Sequence, residues 1–202
     1  MHKNDDDQSQ SDNTVKVWDM FVRLFHWTLV AGFATAYISG EVHASEIHVL
    51  SGYALCALLV ARLYWGFKGS RHARFGSFFF PPAETLAYMR SMFTGHPRHY
   101  TGHNPAGALM VFTLLCMLAA LLATGLATLA VIDFEGPLLF IANFVSDETA
   151  CAIRHLHEFF SGIALTLVVL HLCGAVLGSI LHRENLVKAM FTGVKAMPHD
   201  DN

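Results

Sequence analysis

The sequence predicts an all-α fold, a transmembrane up-and-down four-helix bundle, and three observations predict it. Of 202 residues, 53% are hydrophobic and only 14% are charged, which is more apolar surface than one soluble core of this size can bury. Four segments carry about 20 mainly apolar residues each, the length that roughly 30 Å of hydrocarbon requires. Lys and Arg fall in alternate connections between those segments, as basic loops do on the inner side of a membrane. Membrane lipid is therefore an expected partner, and the formal net charge of −3 says less than the places where the charges lie.

Residues 1–14, MHKNDDDQSQSDNT, are polar and acidic, unlike the basic start of a cleavable leader. They are expected to form a disordered cytoplasmic tail. The folded domain is expected over 15–195, with a short C-terminal tail at 196–202. The spans are expected at 20–40, 47–67, 106–131 and 155–181, the third being the most uniformly apolar. Of the 13 Lys and Arg, all but Arg154 lie on the N-terminal side as far as Arg23, in the stretch from Arg62 to Arg98, or at the C-terminus. Both termini and the second connection are thus expected in the cytoplasm, with loops 41–46 and 132–154 on the periplasmic side.

The second connection contains FGSFFFPPAETLAYMRSMFTG, in which Pro81 and Pro82 precede a helix-favouring stretch. A short helix is expected there, either amphipathic in the membrane interface or packed as an ordinary connector. Cys56, Cys116 and Cys173 lie inside apolar runs and Cys151 stands alone in the third loop, so no disulfide framework is implied. No C-x-x-C-H occurs, which argues against covalent haem attachment.

Coordinating side chains inside a span are costly and mark function. Four histidines, His26, His48, His157 and His171, lie in or at the ends of spans, and His155 competes with His157. At 100° per residue, His157 and His171 fall within about 40° of one helix face and about 21 Å apart along the axis. His155 falls about 160° from His171 and is set aside. The fourth span thus offers one inward ligand at each depth. His26 enters with the first span from the cytoplasm and matches His171, whereas His48 opens the second span at the far side and matches His157. Two bis-imidazole haems b fit this pattern, since such iron has no open position and exchanges electrons only. Zinc would need its ligands within about 2 Å of one point. Gly32, Gly52, Gly125, Gly162 and Gly174 allow a macrocycle or a neighbouring helix to approach closely. Arg23 and Arg62 are candidates to pair with haem propionates, or to anchor at the interface.

Four motifs carry a resemblance to a family: R-L-F-H-W at 23–27, I-H-V-L-S-G-Y at 47–53, the spacing from His157-Glu158 to His171, and E-N-L-V-K-A-M-F-T-G at 184–193. In order and spacing the chain resembles the bacterial di-haem cytochromes b. That family includes the b subunits of nickel-iron hydrogenases, the related subunit of formate dehydrogenase, and small stand-alone members, one of them a superoxide oxidase. The resemblance spans about 15–195. It implies a bacterial inner-membrane protein with two haems b, the inner one held by the first and fourth helices and the outer one by the second and fourth. It also implies electron exchange with quinone, at a site that the formate dehydrogenase relative places beside the cytoplasmic haem at the start of the third helix.

Here that position reads T-G-H-N-P-A-G at 101–107. His103 and Asn104 offer a titratable group and a donor for a quinone carbonyl, at a helix start that favours a quinol anion. The same residues also read as Asn104 capping a helix with Pro105 in its first position. The expected role is a respiratory electron-transfer subunit, rather than an enzyme by itself. It would link the quinone pool to a periplasmic redox protein such as a c-type cytochrome or a hydrogenase, with no nucleic-acid partner. The alternative is a superoxide oxidase reducing quinone. That needs a cationic funnel, and the third loop carries Asp133, Glu135, Asp147 and Glu148 against Arg154.

Overall fold

The computed structural model describes residues 14–71, 73–94, 100, 104–181 and 184–196. Six helices are present among them: α1 Met20–Glu41, α2 Ser45–Lys68, α3 Pro82–Phe93, α4 Pro105–Ile132, α5 Asp147–Leu181 and α6 Leu186–Thr192. Of these, α1, α2, α4 and α5 are long and apolar enough to cross a membrane, with window mean hydropathies of 1.3, 1.6, 2.4 and 2.3. Only 11–17% of each apolar window is buried within the chain. Leu50, Val60, Phe67 and Ile180 are among the large apolar side chains left exposed. Such a surface is stable in hydrocarbon and not in water. The chain is a membrane-integral, all-α transmembrane helical bundle.

The chain divides into two compact units. One takes in the described residues of Phe25–Tyr64 and Met110–Leu172, the other those of Met1–Leu24, Trp65–Leu109 and Cys173–Asn202. The first holds most of the four spanning helices. There α1 meets α2 where a Cβ on Gly32 would lie 3.1 Å from Leu55, and α4 meets α5 where one on Gly125 would lie 3.0 Å from the His157 ring. Small residues at these points let backbones approach in the absence of a hydrophobic drive between helices in lipid. Ala130, Val131 and Ala150 form a buried cluster capped by Ile132, Leu138, Ile141, Val145 and Ile153. The connection expected as a plain loop at 132–154 is therefore folded. It makes a 3-10 turn at Leu139–Phe144, then enters α5 eight residues earlier than the sequence predicts. Ser146 caps that helix, its hydroxyl accepting from the Thr149 amide, and Asp147 and Glu148 complement the dipole of its first turn. Cys151, expected in the loop, is on α5.

In the other unit, Asp19 caps α1 by accepting from the Val22 amide at 2.8 Å. Its second carboxylate oxygen accepts from Trp65 Nε1 at 3.0 Å and from the Ser70 hydroxyl. Pro82 opens α3 as expected, and Thr85 and Tyr88 are buried on it. Tyr100 packs edge-on to Tyr88 and donates to Glu84. That packed face favours the connector reading of α3. A two-stranded antiparallel pair, β1 Thr14–Lys16 with β2 Val194–Ala196, joins the two ends of the described chain. Thr14, expected to end the N-terminal tail, is the first residue of β1. The side-by-side ends agree with an even number of crossings.

Candidate functional site

Every histidine singled out as a ligand lies in the unit formed by Phe25–Tyr64 and Met110–Leu172. The His26 and His171 rings are 6.4 Å apart between centroids, on α1 and α5. The His48 and His157 rings are 6.0 Å apart, on α2 and α5. All four side chains are half-buried, whereas His155, two residues from His157, is exposed. Helical phase accounts for the difference, since two residues turn a side chain through about 200°.

The spacing of the pairs is compatible with two imidazoles sharing one metal. Metal–imidazole bonds of about 2 Å, with about 1.1 Å from each nitrogen to its ring centre, separate two axial imidazole centroids by roughly 6.3 Å. Both pairs lie within a few tenths of that value. Hydrogen-bonded imidazoles would sit closer, and stacked rings would lie parallel, whereas these are inclined by 58° and 83°. Among the described residues no three His, Cys, Asp or Glu converge as a metal site. Each is a pair of imidazoles, a donor set that would fit an iron already carried by a macrocycle.

Hydrogen bonds orient one pair. His48 Nδ1 is 2.8 Å from the Ala36 carbonyl oxygen, which can only accept, so the ring donates there and Nε2 keeps its lone pair. His157 Nδ1 donates in the same way to the Leu121 carbonyl at 3.1 Å, with Thr124 Oγ1 at 3.2 Å. Beside these two rings lies an open, mainly apolar cleft with Phe33, Tyr37, Gly52 and Gly125 in its walls. Cofactor sites are mainly apolar, with a few polar groups that converge on the bound molecule. A Cβ on Gly52 would meet nothing within 4 Å, and one on Gly40 would press on His48 Nδ1 at 3.1 Å. Gly162 and Gly174 also face open space. At the other pair, His26 Nδ1 is buried without a hydrogen bond and Trp27 packs edge-on to its ring at 5.1 Å. The residues present thus fit a flat macrocycle between each pair of imidazoles.

The remaining candidates are dispersed. Arg62 is buried, 4% exposed, with its guanidinium 6.0 Å from the Phe25 ring centre, next in sequence to His26. Arg23 belongs to the other unit, where it donates to the Phe191 carbonyl. Asn104, in the same unit, accepts from the Gly107 amide at 2.7 Å and caps α4, with Pro105 its first residue. His103 lies outside the described residues. The Nδ1 acceptors on Ala36 and Leu121 were missed in the sequence, being backbone groups without residue identity. Thr124 left a signal, a hydroxyl in the most apolar span.

A family model described as prokaryotic cytochrome b561 matches residues 17–193. The chain is similar to probable Ni/Fe-hydrogenase B-type cytochrome subunits from several bacteria. It is 24% identical to that of Azotobacter vinelandii, over 95% of this chain and 92% of the relative. For the Rhodobacter capsulatus protein the values are 21%, 93% and 83%. For the hydrogenase 1 subunit of Escherichia coli strain K12 they are 22%, 94% and 94%.

Proposed function

The chain belongs to the prokaryotic cytochrome b561 family and is a membrane b-type cytochrome that transfers electrons; from that premise we propose that it does so with two haems, between the quinone pool and a hydrogenase at the periplasmic face. One haem b lies between His26 and His171 on the cytoplasmic side, the other between His48 and His157 on the periplasmic side. The observation that carries this reading is the pair of imidazole separations, 6.4 and 6.0 Å. The hydrogenase is favoured as partner because similar chains from three bacteria bear the name of its cytochrome subunit.

When bound, haem b would supply reversible one-electron exchange, with His26 and His171 holding one group and His48 and His157 the other. The protein's part is to hold and orient. The Ala36 and Leu121 carbonyls fix the His48 and His157 tautomers, and the cleft beside them presents mainly apolar walls. Arg62 is the better of the two cationic candidates for a propionate, being held in the unit that contains all four histidines. Quinone is assigned to the start of α4, where Asn104 spends its carbonyl oxygen on the cap and keeps its amide N–H groups for a quinone carbonyl. His103 is the proposed proton carrier there, and the helix N-terminus favours the anionic form of the quinol. Both termini are assigned to the cytoplasm of the bacterial inner membrane, by the distribution of Lys and Arg.

Transfer across the membrane tests this directly. In proteoliposomes with trapped ferricyanide and an impermeant reductant outside, the parent protein should carry electrons inward and His26→Leu should not. Equal rates in the two would contradict a path through both sites.

A further inference from the structure

The two histidine pairs are not held alike. In the His48/His157 pair both Nδ1 atoms face carbonyl acceptors. In the His26/His171 pair, His26 Nδ1 is buried without a hydrogen bond. Thr124 adds to the difference. Its hydroxyl lies 2.9 Å from the Ala120 carbonyl and 3.0 Å from that of Leu121, so its one proton is committed to the backbone. Towards His157 Nδ1, 3.2 Å away, the oxygen can act only as an acceptor. The His157 N–H is thus shared between two acceptors on α4, Leu121 and Thr124.

A ligating imidazole that donates from Nδ1 gains negative character and becomes a stronger electron donor to its metal. Stronger donation favours ferric over ferrous iron and lowers the reduction potential. We propose that Thr124 is a positioning residue that, with the Ala36 and Leu121 carbonyls, sets the His48/His157 haem at a lower potential than the His26/His171 haem. The proposal rests on the two-haem reading above and adds a direction to it. One electron given up at the lower-potential site and taken up at the higher one runs downhill from the His48/His157 end to the His26/His171 end. Reductant is then supplied at the first end and an acceptor such as quinone is reduced at the second.

Potentiometric titration of the purified protein, followed by haem absorption, tests this without reference to turnover. The parent should resolve into two one-electron components, and His26→Leu should retain the lower. Thr124→Val, which keeps the shape and removes the acceptor, should raise only the lower component. A roughly tenfold change in its equilibrium is expected, the lower end of what removing such a partner costs, or about 59 mV for one electron. Thr124→Ser should restore the parent value. Retention of the upper component in His26→Leu, or a lower component unmoved by Thr124→Val, would overturn the proposal while leaving two haems in place. A single component from a single haem would overturn the two-haem reading with it.

Discussion

His155 and His157 stand two residues apart on α5, yet one is exposed and the other has its ring 6.0 Å from that of His48. On the two-haem reading, His157→Ala should lose one of the two haems and His171→Ala the other. His155→Ala should retain both. Pyridine haemochrome assay of the three purified variants checks this, and haem loss in the His155 variant alone would mean that α5 uses its other face. The partners of these histidines were legible in the sequence, because helix phase and depth are properties of spacing. Their hydrogen bonds were not. The acceptors for His48 and His157 are carbonyls of Ala36 and Leu121, and nothing in an alanine or a leucine marks it as an acceptor.

At the start of α4 one residue serves both the helix and the proposed quinone site. Asn104 caps the helix through its carbonyl oxygen, and losing a cap costs about 1 kcal/mol. Asn104→Ala removes both cap and amide, whereas Asn104→Ser keeps a capping oxygen and loses only the amide donors. If the amide binds quinone, reoxidation of reduced haem by a quinone analogue should slow roughly tenfold in both variants, as expected for one hydrogen bond of about 1.4 kcal/mol. Haem content should be unchanged. Parent kinetics in Asn104→Ser would leave the residue as a cap alone. The spans themselves were legible to within a few residues, apart from the entry to α5. There the apolar pattern begins late, but Ser146, Asp147 and Glu148 supply the cap and first-turn charge that start the helix earlier. The pairing of β1 with β2 left no comparable signal, since three-residue strands joined across the length of the chain have neither periodicity nor a turn between them.

At the scale of the whole molecule, exposed apolar helices make lipid the solvent, and paired ends agree with an even number of crossings. Three of the four spans, α1, α2 and α5, also bring four imidazoles into two pairs, 6.4 and 6.0 Å apart between ring centres. Everything proposed for electron transfer depends on both pairs holding haem in one chain. The decisive measurement is the noncovalent haem b content of the purified protein, by pyridine haemochrome against a quantitative protein determination. Two haems per chain is the result predicted; one or none would contradict it.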